Sequence, residues 1–281
     1  MGRAPPGNER GVTMNDRSLE LVARLGRAPI WIGLAVLVGL SWLYLAHMSA
    51  NMPGMPGMAS SMAPAMSHDT MQSGRSLPLE LLFTVAMWSV MMVAMMVPTA
   101  VPAIALFATL TGRRHPSQGP AGATAIYVSG YLAAWIGYSV LAAGAQLVLT
   151  RAMLVSPMTG SSSVTVSALI LLSAGAFQFT SLKNACLTQC RSPLAFFMAE
   201  WRDGGRGAFV LGLRQGAYCV TCCWTLMAVM FVVGVMNLMW MALLALFLLA
   251  EKLAPANWQI SRLSGAILIA WGAWIGVGAW L

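Results

Sequence analysis

The sequence predicts an all-α, polytopic membrane protein of about seven transmembrane helices, with a cytoplasmic N-terminus and an extracytoplasmic C-terminus. Three observations carry this expectation. Of 281 residues, 58% are hydrophobic and 9% are charged, whereas about a quarter of an ordinary soluble domain is charged. Apolar blocks of bilayer-crossing length, roughly 17–25 residues each, recur from Ile30 to the last residue. The third observation is where the positive charge falls, because cytoplasmic loops retain an excess of Lys and Arg. With seven spans and the N-terminus inside, Arg3, Arg10, Arg17, Arg24, Arg27, Arg113 and Arg114 are cytoplasmic. So are Lys183, Arg191, Arg202, Arg206, Arg214, Lys252 and Arg262, and only Arg75 and Arg151 fall outside.

Residues 1–29 hold Pro5, Pro6 and mixed charges, too long a leader for a signal peptide, and read as a disordered cytoplasmic tail. The first span is 30–48. An extracytoplasmic loop, 49–78, follows, containing Met52, Met55 and Met58 in a Met-Pro-Gly repeat and then Met62, Met66, His68 and Met71. Gly and Pro at this density preclude a stable helix in its first half. Six further spans, at 79–110, 123–150, 163–184, 208–235, 237–253 and 262–281, make residues 79–281 a six-helix metal-binding membrane domain. Pro98 and Pro102 inside 79–110 predict either one bent span or a span plus a surface segment.

The chemistry lies in sulfur. Cys186 and Cys190 stand four apart, and Cys219, Cys222 and Cys223 follow in the next polar-poor block of a chain with 22 methionines. Five cysteines, most placed toward the reducing cytoplasmic side, argue against a disulfide framework. Along the fifth span Cys219, Cys223, Met227 and Met230 share one helical stripe, with Cys222 one step off it. In the second span Met87, Met91 and Met95 stack at the same period, forming a thioether ladder with Met92 and Met96 beside it. Thiolate and thioether together suit Cu(I). Zn2+ is the alternative, since thiolates bind it too and Cys219 and Cys222 form a CxxC step, but methionine is a poor zinc ligand and His is scarce. Packing is the bland reading of each sulfur taken alone, because Cys and Met are common core residues. Three near-contiguous thiols, and a loop that is rich in Met but has no core to join, fit packing poorly. Lys183 or Arg191 beside Cys186 and Cys190 would favour their thiolates.

Other function classes find no residues. The positive charge is used up by topology, leaving no basic patch for nucleic acid. No Gly-rich phosphate loop serves a nucleotide. No nucleophile, base and acid can be assembled within the spans, so no enzyme is expected.

Three motifs resemble a bacterial family of predicted metal-binding integral membrane proteins, a domain of unknown function that includes a membrane copper chaperone encoded beside a tyrosinase. The first is Met87-Trp88 with Met91-Met92-Val93-Ala94-Met95-Met96-Val97-Pro98. The second is Gln178 and Leu182-Lys183 with Cys186-Leu187 and Cys190-Arg191-Ser192-Pro193. The third is Gly216 with Cys219, Cys222-Cys223-Trp224 and Leu226-Met227. The likeness covers about residues 79–253 and implies copper handling for a copper-requiring client protein. The sequence therefore predicts a bacterial inner-membrane Cu(I) chaperone or conduit serving cuproprotein maturation or copper homeostasis. The expected ligands are Cys186, Cys190, Cys219, Cys222, Cys223, Met227, Met87, Met91, Met95, Met52, Met55 and Met58. A membrane thiol/disulfide redox protein using the same cysteines is the competing reading.

Overall fold

The computed structural model describes residues 16–50, 76–114, 120–156, 160–161, 163–235, 237–254 and 259–278. Residues 1–15 and most of the Met-rich loop, with Met52, Met55 and Met58, lie outside them. The described residues are almost all helical: α1 (Asp16–Ala50), α2 (Leu77–Arg114), α3 (Ala121–Arg151), α4 (Val164–Phe177), α5 (Ser181–Arg191), α6 (Pro193–Glu200), α7 (Gly204–Ala228), α8 (Met230–Val233), α9 (Leu238–Leu253) and α10 (Ile260–Gly278). Two-residue strands, β1 (Val155–Ser156) and β2 (Gly160–Ser161), pair antiparallel between α3 and α4.

Among the described residues, five segments are long and apolar enough to cross a membrane: Ala28–Ser49 in α1, α2, α3, Gly204–Val233 in α7 with α8, and α10. Taken as one span broken by 65°, α4 and α5 make a sixth. The remaining expected span, 237–253, corresponds to α9, whose 16 residues rise only about 24 Å at 1.5 Å each, short of a hydrocarbon core of about 30 Å. The break between α4 and α5 has a local cause. Thr180 is extended, and its hydroxyl accepts from the Lys183 amide at 3.3 Å, starting a new helix where the old one ends.

Residues 79–110 belong to one helix, because α2 runs through Pro98 and Pro102 without interruption. Proline at position 98 removes the amide that would bond the Ala94 carbonyl four residues back, and the Trp42 indole of α1 donates to that oxygen at 3.1 Å. Inside a membrane such a freed carbonyl persists only where another group satisfies it.

Backbone contact is closest between α3 and α7. A Cβ on Gly212 would collide with the Tyr127 carbonyl, and one on Gly130 with the Phe209 carbonyl. Only glycine lets the two helices meet at this separation, the device by which membrane helices gain packing without a hydrophobic drive. At the far side Gly175 of α4 and Gly265 of α10 abut in the same way. Outside the core, Arg151 is the one expected extracytoplasmic cation in the described residues, and it pairs with Glu80 at 3.1 Å.

Gly212→Ala should lower the thermal midpoint of the detergent-purified protein by the equivalent of about 1–3 kcal/mol, the usual cost of overpacking. Gly137→Ala, at a position with open space around it, should leave the midpoint unchanged or raise it, so equal effects from the two variants would sink the close-approach account.

Candidate functional site

The cysteines of α7 sit at the centre of the bundle. Cys219, Cys222 and Cys223 are buried, and no cysteine is in a disulfide. Cys222 Sγ lies 3.2 Å from Cys223 Sγ and donates to the Cys219 carbonyl at 3.2 Å. Cys190 reaches in from α5, and its thiol interacts with those of Cys219 and Cys222. Four of the five thiols thus converge. Cys186, one turn earlier on α5, is buried among hydrophobic side chains without a thiol partner among the described residues. The expected pair Cys186 and Cys190 is therefore divided: Cys190 joins the α7 group, and Cys186 packs.

Around Cys219 three polar groups close in. Lys252 Nζ of α9 donates to Cys219 Sγ at 2.9 Å and to Thr99 Oγ1 at 2.7 Å. The Tyr131 hydroxyl of α3 lies 3.2 Å from Cys219 Sγ and donates to the Met96 carbonyl at 3.2 Å. A cavity of about 50 Å³, room for roughly one water, adjoins Cys190, Cys219, Lys252, Tyr131 and Gln215. The Gln215 Oε1 atom is buried without a hydrogen-bond partner among the described residues.

The methionine ladder runs beside this cluster at a fixed level. Lys252 joins Thr99 of α2 to Cys219 of α7, and further along, the ring of Trp88 on α2 meets that of Phe231 on α8, the continuation of α7, at 5.3 Å. Between these ties α2 and α7 run antiparallel. Stepping back one turn at a time from Thr99 while stepping forward from Cys219 sets Met95 level with Cys223 and Met91 level with Met227. Met87, Met91, Met95, Met227 and the three α7 cysteines all belong to one contiguous buried cluster.

Position 183 supplies a different function from the one its spacing suggests. Lys183 is fully buried and pairs with Glu251 at 2.7 Å, while donating to Gln178 Oε1. Ser261 of α10 donates to the same Glu251 oxygen. Arg191 forks onto the Glu251 carbonyl at 3.0 and 2.7 Å. The cation beside the thiols is instead Lys252, which the charge pattern puts in a cytoplasmic loop and the structure buries. The Glu251-Lys252 dipeptide closing an apolar helix was the available signal. Tyr131 and Thr99 carried none, since a lone Tyr or Thr in a span has no period to mark it.

The donor set suits a soft ion: thiols and thioethers in one buried cluster, with no imidazole beside them among the described residues. Among the described residues, no three His, Cys, Asp or Glu side chains stand around a common point as metal ligands would. Cys222 spends its S–H on a carbonyl of its own helix, so side-chain rotation must precede any shared coordination.

A family model described as a copper chaperone, PpoB2, matches residues 85–275. The chain belongs to that family. The match takes in all five cysteines, the α2 methionines, Met227 and Lys252, and leaves out Met52, Met55 and Met58. Copper-chaperone membership bears out the resemblance drawn from the three motifs. No curated protein and no solved structure matches the chain.

Removing one member of the Lys183–Glu251 pair should be far worse than removing both. Glu251→Leu or Lys183→Met alone leaves an uncompensated buried charge, at about 3–5 kcal/mol. The double variant should recover most of the loss in thermal unfolding, and additive losses would show the pair is not coupled.

Proposed function

We propose that the protein is a multi-pass inner-membrane chaperone that takes Cu(I) as cargo on Cys190, Cys219, Cys222 and Cys223 and passes it toward a copper-requiring client. The observation that supports this most directly is the meeting of Lys252 with a thiol cluster drawn from two helices. Cu(I) held by two thiolates carries a net negative charge, and in a low-dielectric interior an unmatched charge is strongly disfavoured. One ammonium at 2.9 Å from Cys219 Sγ neutralises such a complex. Soft-ligand preference selects Cu(I) over Zn2+ at a centre with methionines and no histidine.

The path follows from the level of the ladder. The Met-rich loop with Met52, Met55 and Met58 leads directly into α2, whose Met87, Met91 and Met95 descend to the height of Cys223. Thioethers are neutral and bind Cu(I) more loosely than thiolates, so the series grades from collection to retention. In this reading α9 is a short span, sixth of the seven in chain order, the N-terminus is cytoplasmic, and the Arg-bearing ends of α2 and α7 face the cytoplasm.

Elemental analysis of the anaerobically purified, Cu(I)-loaded protein should find near-stoichiometric copper, lost in Cys219→Ser/Cys222→Ser/Cys223→Ser and reduced in Cys190→Ser. Cys186→Ser should retain it. Undiminished copper in the triple variant would end the proposal. Lys252→Met should weaken Cu(I) affinity by about 10–100-fold, the usual effect of losing a group that supports a metal ligand, in competition with a chromogenic Cu(I) chelator. Lys252→Arg should restore part of it.

The 3.2 Å separation of the Cys222 and Cys223 sulfurs favours one second reading, a reversible dithiol. Thiol titration of metal-free protein exposed to air separates the two: five free thiols fit the copper reading, and a pair lost to oxidation and regained on reduction fits the redox one.

A further inference from the structure

The bundle end that carries Arg113, Arg114 and Arg202 holds a second cavity, about 460 Å³, bordered by α2, α3, the connection from α6 to α7 and the start of α7. Two helix N-termini open onto it. Gly122 and Ala123 belong to the first turn of α3, and Gly204 and Gly205 to that of α7. The first amides of a helix have no partner within it, and neither Pro120 nor Asp203, the residues at the two caps, provides a side-chain hydrogen bond to them. Helices of 31 and 25 residues therefore turn positive ends toward one space, an arrangement that attracts an anion.

Independent of the helix ends, Thr111 of α2 lines the same cavity at 6% exposure, and its hydroxyl has no partner among the described residues. A threonine in a helix ordinarily donates to the carbonyl one turn back, as Thr84 and Thr109 do here. Arg202, a cationic residue, also lines the cavity. The one carboxylate present, Asp203, is already engaged: Trp201 Nε1 donates to it at 2.7 Å, and Arg114 pairs with it at 3.8 Å while stacking on the Trp201 ring. The remaining wall is apolar, with Phe107, Ile126 and Trp201.

We infer that this cavity binds the phosphate group of an anionic membrane phospholipid, with the phosphodiester at the two helix ends, Arg202 and Thr111, and the glycerol and upper acyl chain against Phe107 and Ile126. The apolar wall and the volume distinguish such a ligand from free phosphate, which would leave both unused. Basic pockets between membrane helices at the positively charged face are suited to headgroups of this class. The inference rests on the chain lying in a membrane and is independent of copper.

Native mass spectrometry of the full-length protein in detergent, titrated with dioleoylphosphatidylglycerol, tests it. The wild type should retain one lipid in preference to dioleoylphosphatidylcholine, and Arg202→Glu and Thr111→Val should each weaken retention by about tenfold, as expected for loss of one charge-assisted or buried hydrogen bond. Millimolar inorganic phosphate should not displace the lipid. Displacement by phosphate, with the same dependence on Thr111 and Arg202, would overturn the lipid as source. Equal retention in both variants would overturn the site. Thr111→Val removes only an unpartnered hydroxyl, so its lipid-free thermal midpoint should match or exceed the wild type. Should it unfold instead, the exposed Arg202→Glu variant alone decides. Loss of copper binding in the cysteine variants has no bearing on the result.

Discussion

A charge buried in an apolar bundle has to be answered where it lies, and the end of α9 places two opposite charges side by side in the interior. Glu251 and Lys252 are consecutive, so their side chains leave the helix about 100° apart. Glu251 turns to Lys183 and Ser261, tying α9 to α5 and α10. Lys252 turns to Thr99 and Cys219, tying it to α2 and α7. Both contacts must form together, because breaking either strands a charge in low dielectric. This lock ties both helices that carry the cluster to α9. Cys190 is held on α5 by Lys183 and Arg191, and Cys219 is held against α9 by Lys252.

Such a lock also accounts for a lysine buried beside a cluster of thiols. Neutral thioethers can stand in hydrocarbon without compensation, and the α2 methionines do so. Thiolates cannot. The Lys252 ammonium beside Cys219 would compensate a thiolate there, and the Tyr131 hydroxyl, which donates to the Met96 carbonyl, lies 3.2 Å from the same sulfur. The Tyr131 position in turn rests on the close approach of α3 and α7 at Gly130 and Gly212, where a methyl group would push the helices apart. Packing glycines thus govern the chemistry of a thiol two turns away.

Much of this was legible in the sequence, for identifiable reasons. Helical period put Cys219, Cys223 and Met227 on one stripe and Met87, Met91 and Met95 on another, and the fold brings both into a single core. Composition alone gave the helical membrane class. The number of full-length spans was not legible, because α9 is as apolar as its neighbours and only its length, set by where Glu251 and Lys252 find partners, keeps it short. The same charges misled the reading of Lys252: the positive-inside rule counts cations near span ends and is blind to one that turns inward. Spacing four apart likewise grouped Cys186 with Cys190, whereas only Cys190 meets the α7 thiols, and α5 takes its direction from the 65° break before it, which the sequence marks only through Thr180. The glycines of α3 and α7 lie in plain view, but their meaning requires knowing which helices are neighbours.

The break itself follows from what the cluster needs. The 65° bend turns α5 off the line of α4, and on α5 Cys190 lines the same small cavity as Cys219. Bending in a membrane exposes backbone groups that water cannot satisfy. At the new start the Thr180 hydroxyl accepts from the Lys183 amide, and at the other end of α5 Arg191 covers the Glu251 carbonyl of α9 with two hydrogen bonds. The same residues that close the orphaned backbone also hold the ion pair in place. Local helix termination, charge compensation and delivery of the fourth thiol are therefore one structural event, and a substitution that straightened the α4–α5 bend would undo all three together.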